Sequence, residues 1–335
     1  MTQRLAEVAR KVGVSEATVS RVLNGKLGVS EPTRRAVLAA LDVLGYERPT
    51  KLRGERRRLV GLVLPELQNP IFPAFAEVVG GTLAQSGYTS VLCTPASSNI
   101  TESDYVDLLL EQRVSGILFM GGNYAQERAP HEHYARLKDL QLPTVLLNAR
   151  SEEVDFPTVS CDDTVAMEFA VGHLYQLGHE RIGLLLGPED HVASQRKLAA
   201  AKRWAAERGI TISDGDVAHS LFSLEAAQAS ASRLLTGGVT GIVCASDVMA
   251  LGAIRAARRL GRSIPGEASV VGFDDSALMN CTDPPLTTLR QPIEPMGRMM
   301  IELLVRQMGG LPAPLDEFVF EPELVVRRSS GPRSR

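Results

Sequence analysis

Residues 13–35 read GVSEATVSRVLNGKLGVSEPTRR, a stretch that two short helices joined by a turn account for. Upstream, Leu5, Val8, Ala9 and Val12 recur at helical spacing, and Gly13 ends that helix as a C-terminal glycine does. Ser15 caps the next helix. Val19, Val22 and Leu23 follow at i, i+3 and i+4 and turn inward, which leaves Ala17, Ser20, Arg21 and Asn24 together on the outer face. Small and polar side chains there suit a DNA groove. A third helix starts at Ser30, with Pro32 in its first turn and Val37, Leu38, Leu41 and Leu44 as its apolar stripe. Three such helices bury one small core and make a helix-turn-helix head.

Any small three-helix domain has an amphipathic second helix, so the spacing alone favours DNA only modestly. Charge by segment shifts the balance. Residues 1–58 carry 13 Lys/Arg and six Asp/Glu, a net of +7, whereas the remainder carries 23 and 33, a net of −10. The whole-chain value of −3 therefore hides a basic head on an acidic body, the asymmetry expected when one domain meets phosphates and the rest avoids them.

The run TVSRVLNGKLGVSEPTRRAVLAALDVLGYERP (18–49), with motifs farther along, resembles the LacI/GalR family of bacterial transcriptional repressors over nearly the whole chain. The resemblance implies a homodimer whose second helix enters the major groove of a palindromic double-stranded DNA operator, under the control of an effector-binding body. On that helix Arg21 is expected to read a guanine, with Glu16 and Ala17 setting preference at neighbouring positions. Ser15, Thr18, Ser20, Asn24 and Arg34 are expected to hold the helix on phosphates.

From residue 59 onward, apolar runs at 59–65, 89–94, 116–121 and 143–148 alternate with helical segments such as 73–86 and 102–113. That rhythm specifies parallel βαβ units. A second series has strands at 181–187, 216–220, 241–246 and 269–275 and helices at 164–177, 194–208, 224–236 and 247–260. The expected body is α/β with two Rossmann-like lobes built on parallel sheets, like a periplasmic binding protein. The resemblance implies three crossovers between lobes, placed near 158–161, 289–291 and 316–318, with helix 293–309 returning to the first lobe and strand 318–328 to the second. The expected division is therefore head 1–46, linker 47–58, first lobe 59–158 and 291–316, second lobe 159–290 and 317–330, and tail 331–335.

Ligands of open parallel sheets bind beyond the carboxyl ends of the strands. After the first strand comes ELQNPIFPAF with Phe72 and Phe75, and of these Phe75 reads as core because Val78 and Val79 continue its stripe. After RIGLLLG comes GPEDHVASQR, ending in Arg196; Asp274 and Asp275 close SVVGFDD. By resemblance, Arg196 and Asp274 match an arginine and an aspartate that hold polar groups of the effector, and a guanidinium and a carboxylate suit paired hydrogen bonds to sugar hydroxyls or a heterocycle edge. Asn148 and Phe222 align with effector-contacting positions, Phe222 as a stacking wall. Asp162 is assigned either to the hinge between lobes or to the ligand. Trp204 reads as packing, His131 and His133 as a solvated loop, and Ser246 and Asp247 as helix caps.

Three departures from the family stand out. The hinge pattern is altered: Pro49 lies three residues after Tyr46, and Lys51-Leu52-Arg53-Gly54 replaces the expected Ala-Arg-Ser-Leu, which leaves Leu52 as the candidate minor-groove wedge. Gly54 weakens a helix there by about 1 kcal/mol relative to alanine. Asp190 and Val192 stand where purine-binding relatives have arginine and threonine, which favours a sugar-like effector. Ala199 stands where many relatives have glycine.

A chain of 335 residues with 44% hydrophobic content has ample material for this body, and no apolar run approaches the roughly 20 residues that span a bilayer. The N-terminus lacks a signal-peptide pattern, so a cytoplasmic location and no membrane partner are expected. Cys93, Cys161, Cys244 and Cys281 lie far apart, as reduced packed thiols rather than a metal site. No cofactor is expected. A sugar-binding transport protein would share the body fold but lack the head. An enzyme on a Rossmann-like scaffold would carry Gly-x-Gly-x-x-Gly, Walker A, Gly-x-Ser-x-Gly or a metal cluster, and none of these occurs.

Overall fold

The computed structural model describes residues 8–23, 29–43, 58–95, 100–151 and 153–333. The chain divides into two compact units, Met1–Arg57 and Arg58–Arg335. In the first, residues 8–12 form the described part of α1. Gly13 follows at φ +73°, and the Val14 N–H donates to the Ala9 carbonyl at 3.0 Å, a Schellman ending that only a left-handed residue allows. Helix α2 (Glu16–Leu23) starts under Ser15, whose Oγ accepts from the Thr18 N–H at 3.2 Å; α3 (Glu31–Val43) starts under Ser30 in the same way, from Thr33 at 3.4 Å. Val19 and Val22 are fully buried against Val8, Ala9, Val37 and Ala40, so the inward face read from the spacing is the core face.

The second unit contains two six-stranded sheets. One holds β1 (Arg58–Val63), β2 (Tyr88–Cys93), β3 (Gly116–Phe119), β4 (Thr144–Leu147), β5 (Thr158–Cys161) and β11 (Glu317–Phe320), in the order β11-β5-β4-β3-β1-β2, all parallel. The other holds β6 (Ile182–Leu186), β7 (Val217–His219), β8 (Gly241–Cys244), β9 (Ser269–Asp274), β10 (Thr287–Arg290) and β12 (Glu323–Val325), in the order β12-β10-β9-β8-β6-β7, with β12 alone antiparallel. Every residue of β3, β4, β6, β8 and β9 is buried, because helices cover both faces, and this is why these strands read as unbroken apolar runs. The first lobe carries α4 (Ile71–Gln85), α5 (Glu102–Glu111), α6 (Glu132–Asp139) and α11 (Ile293–Met308); the second carries α7 (Asp163–Gln176), α8 (Val192–Ala206), α9 (Leu224–Thr236) and α10 (Asp247–Arg259). Among the described residues no helix is long and apolar enough to cross a membrane.

Three segments join the lobes, and two of them differ from the expected positions. β5 pairs with β4 and β11 in the first sheet, so the first crossover follows Cys161 rather than Thr158. The expected strand 318–328 is two strands: β11 stays in the first sheet beside β5, and only β12 pairs with β10. The break falls at Glu321-Pro322, where proline has no N–H to give to a ladder. Residues 331–333 are no free tail: the Gly331 N–H donates to Ser269 Oγ at 3.1 Å and the Arg333 N–H to the Leu177 carbonyl at 2.9 Å. Helix α6 was not expected; its buried face is His133, Tyr134 and Leu137, too few aliphatics for a periodic signal.

Candidate effector cavity and DNA-facing helix

At the carboxyl ends of both sheets lies a cavity of about 390 Å³, the place that parallel topology reserves for ligands. Asp274, the last residue of β9, projects into it at φ +121°, backbone strain of the kind held at functional sites. Its Oδ1 accepts from Gln291 Nε2 at 2.7 Å and its Oδ2 from Asn69 Nδ2 at 3.5 Å. Asn148, just past β4 at φ +63°, donates to Gln291 Oε1 at 3.2 Å and accepts the Cys161 N–H at 2.9 Å. One hydrogen-bonded chain thus runs from first-lobe strand ends through Gln291 to an aspartate of the second lobe. Burial, reinforced by the nearby Asp247 carboxylate, holds the Asp274 carboxyl well above the usual carboxylate range. Asp247 itself is pushed up to about 6, chiefly by burial. It accepts from Thr288 Oγ1 at 2.6 Å and the Ser276 N–H at 2.7 Å, so it ties down the loop after β9, and Ser246 alone caps α10.

The opposite wall is the first two turns of α8. Here the helix register corrects the sequence reading by one residue. Successive helical side chains diverge by about 100°, so Arg196 and Lys197 face different surroundings. Lys197 lines the cavity, buried, ion-paired with Asp163 and 4.2 Å from the Phe273 ring centroid. Burial still leaves the Asp163 carboxyl above its ordinary value despite that ammonium. Arg196 is outside the cavity lining and forks onto Glu317 of β11, at 2.6 and 3.2 Å, with Ser160 Oγ on the same carboxylate at 2.6 Å. The guanidinium therefore joins the lobes.

Phe72 and Phe222 line the cavity as expected positions do, and Phe75 lines it while fully buried. Phe222 meets the His191 ring edge-on, centroids 5.4 Å apart, and lies over Gly187, where a Cβ would stand 2.1 Å from its ring. Asp162 is the N-cap of α7, accepting from the Thr164 and Val165 N–H groups at 2.8 and 3.1 Å, and does not line the cavity. Asn69, Asp163, Lys197, Gln291 and His191 escaped the sequence reading. Gln291 follows a strand, and the same carboxyl-end rule applied to TTLR points to it; the lysine needed helix register.

The histidine pair is not a solvated loop. His133 is buried against Glu102 at 2.7 Å, in a network with Tyr134 that also holds the Asn123 N–H at 3.1 Å. That network supports the cavity loop at Gly122, where a φ of +145° and the 2.0 Å that a Cβ would leave to Glu102 Oε2 exclude a side chain. Trp204 packs under Arg208 and beside Tyr175. Cys93, Cys161 and Cys244 are buried and Cys281 is exposed. Among the described residues no three His, Cys, Asp or Glu side chains are grouped to hold a metal.

In the head, Glu16, Ala17 and Arg21 are exposed along one side of α2, with Thr18 and Ser20 half-buried beside them. The Ser15 and Thr18 hydroxyls are 2.9 Å apart. Asn24, Leu52 and linker positions 47–57 lie outside the described residues.

Comparison with known proteins agrees with both units. Residues 4–49 match the model of bacterial regulatory proteins of the lacI family, and residues 171–330 match a periplasmic binding protein-like domain. The HTH-type transcriptional regulator reg1 of Streptomyces lividans is 53% identical over 336 residues, covering 99% of this chain and 97% of that protein. Among solved structures, the transcriptional regulator CelR in complex with cellobiose is 31% identical, with a TM-score of 0.74, over 97% of this chain and 99% of that one. The lac repressor dimer bound to operator and the anti-inducer ONPF is 27% identical, with a TM-score of 0.73, over 97% and 98%. The head tells against a transport protein built on the body fold alone. With its helix-turn-helix head, its two-lobed body and a relative identical at more than half of its positions, the chain belongs to the LacI family of bacterial transcriptional regulators.

Proposed function

We propose that the protein is a homodimeric repressor of a palindromic operator, switched by a neutral sugar of about disaccharide size bound between its lobes. The observation that carries the reading is the contact of Asn69 and Gln291 with Asp274, because it brings polar groups of both lobes to one point in the cavity. A ligand held there touches both lobes and selects one lobe angle. The lining combines apolar ring faces with amides and carboxylates, the mixture that packs a sugar's C–H faces while bonding its hydroxyls. Its ionisable lining is carboxyl-rich, with Glu66, Asp163 and Asp274 beside a Lys197 already paired with Asp163, so no net positive charge is offered to an anion and a neutral polyol fits. The protein is a binding switch in the cytoplasm, not an enzyme. In the head, Arg21 with Glu16 and Ala17 reads bases, Ser15, Thr18, Ser20, Asn24 and Arg34 hold phosphates, and Leu52 is the wedge in the minor groove.

The test is titration calorimetry of the full-length protein with glucose, galactose, cellobiose, lactose and maltose and with a set of nucleosides. Band shifts on operator DNA with any ligand that binds complete it. Sugar binding that Asp274→Ala abolishes, together with a change in operator affinity of about 5–150-fold, is the expected result. Tight binding of a nucleoside and of no sugar would overturn it.

A further inference from the structure

The six histidines of the chain differ in what their ring nitrogens face. His133 and His219 each bond through one nitrogen, to Glu102 and to the Gly187 carbonyl, and His191 Nδ1 has no partner. His173 meets the Ser330 hydroxyl, and His179 meets the Thr240 and Ser269 hydroxyls and the Gly331 carbonyl. A neutral ring satisfies every one of these arrangements, because a hydroxyl donates or accepts as needed. His131 is different. Its Nδ1 lies 3.0 Å from Glu153 Oε2, and its Nε2 lies 2.9 Å from the Asn123 carbonyl oxygen and 3.1 Å from that of Gln126. Carbonyls and carboxylates accept hydrogen bonds without donating them, so both nitrogens must carry protons, and only the imidazolium has two.

We infer that His131 is a pH-sensing positioning residue: its doubly protonated ring pins the cavity loop 121–126, and loss of one proton loosens that loop and weakens effector binding. The inference names a regulation of the effector site and rests on the sugar reading above only for the ligand used as a probe. Gly121, Gly122, Ala125 and Gln126 line the cavity, and the two carbonyls held by the ring belong to the short 3-10 turn Asn123–Ala125 and to the residue that closes it. Glu102 takes the Asn123 N–H at 3.1 Å while His131 takes the Asn123 carbonyl, so both anchors of the loop meet at one residue. Past Gln126 the Glu127 N–H donates to the Asp190 carbonyl of the second lobe at 3.0 Å, so a loosened loop also slackens a join between lobes. The charged group facing the ring is Glu153, from the segment after β4; on α6 the Tyr134 ring meets it edge-on at 5.9 Å and gives its hydroxyl to Glu102. The positive end of α6, whose N-cap is His131, works against a cation there, and Glu132 in its first turn works for it. Burial alone lowers the His131 imidazole, but the Asn123 carbonyl, Glu153 and the Gln126 carbonyl outweigh it and hold the ring above its ordinary value. The contribution to loop order is therefore full below the pKa of a free imidazole and is lost as pH rises through the raised value. Glu153 is 75% exposed and the ring 15%, which keeps the effect to that of a solvent-facing ion pair.

The experiment compares full-length wild type with His131→Gln and Glu153→Gln. Histidine-ring NMR, with the His131 signal assigned by its loss in His131→Gln, should give a pKa above the roughly 6.5 of a free imidazole, and Glu153→Gln should lower it. Hydrogen exchange of residues 121–127 in the ligand-free protein should be about two- to fivefold faster in His131→Gln than in wild type at about pH 6, and the same in both at about pH 9. Faster exchange across the whole body would mark a folding defect, and in that case Glu153→Gln, at an exposed position, should show the same loop-specific loss with its midpoint moved to lower pH. Calorimetry with glucose, galactose, cellobiose, lactose and maltose should find His131→Gln weaker by about two- to fivefold at about pH 6 and unchanged at about pH 9. The ratio of the two proteins at each pH cancels the Asp274 carboxyl, which both share. A ring pKa at or below that of free imidazole overturns the inference, as does a loop-exchange ratio or an affinity ratio that stays constant with pH. If none of the five sugars binds, the sugar reading falls, and the ring pKa and loop exchange, which need no ligand, decide the inference.

Discussion

We propose that the two halves of the function turn on two side chains, Arg21 in the head and Asp274 in the body. Arg21 is exposed on α2, and its planar fork is the group we propose for pairing with guanine in the major groove. Replacing it with alanine should cost about 1–3 kcal/mol of discrimination and relax selectivity at one base per half-site. Quantitative band shifts on specific and random DNA check this, and an equal loss on both would reduce Arg21 to a phosphate contact. Asp274 makes a pH prediction. Its carboxyl sits well above the usual range, and sugar hydroxyls donating to it would favour the charged form, so binding should release a proton. On its account effector affinity should rise with pH through that elevated pKa and then level off. The other ionisable groups facing this carboxyl are Asp247, which raises its pKa, and Lys197, which lowers it. Asp274→Asn should remove this rise, and calorimetry in buffers of different ionisation enthalpy should count the proton. A wild-type affinity without this rise would remove Asp274 from direct contact.

At the scale of an element, α8 separates two charges that are adjacent in sequence. Lys197 and Asp163 are buried together, and the pair is held because either charge left alone in that site is costly. Lys197→Ala should therefore lower stability by about 3–5 kcal/mol, seen as a lower midpoint in urea unfolding of the body. Arg196 is about one-third exposed, at 34%, and Arg196→Ala should cost about 1 kcal/mol or less. Its consequence lies elsewhere: the fork onto Glu317 joins the lobes, so its loss should change the amplitude of the effector response while leaving sugar contacts intact. An Arg196→Ala variant that loses sugar binding while Lys197→Ala keeps both stability and binding would reverse these assignments.

For the whole molecule the prediction concerns assembly and salt. One head offers a single short reading helix, so two are needed for a specific site, and a two-fold dimer on a palindrome supplies them. If the dimer neutralises on the order of eight phosphates, the log–log dependence of operator affinity on salt should have a slope near −7, at about −0.9 per contact. The acidic body, at −10 outside residues 1–58, should keep nonspecific binding weak. Light scattering at micromolar concentration should show a dimer; a monomer, or a slope near zero, counts against this assembly.

Local patterns were sufficient wherever one physical rule acts over a few residues. Gly13 ending α1, the cap Ser15, the helix start at Ser30, the buried Val19 and Val22 and the alternation of parallel strands with helices were all legible, because capping, amphipathic spacing and double-sided burial leave their mark in the chain itself. The rule that ligands sit beyond strand ends led to Phe72 and Asp274, and the family resemblance to Asn148 and Phe222; all four line one cavity. Tertiary structure decided the rest. Whether Arg196 or Lys197 enters the cavity depends on how α8 is rotated against β6 and α7, a packing choice that a run of charged residues does not record. The third crossover depends on which sheet has an open edge for β11, and that edge is made by β5 more than 150 residues earlier. Asp247 reads as a helix cap and Asp163 leaves no signal in the sequence, yet both become buried partners, of Thr288 and Lys197, because distant segments close over them. The backbone states its own period and its own ends; only the folded chain states which side chains share a cavity.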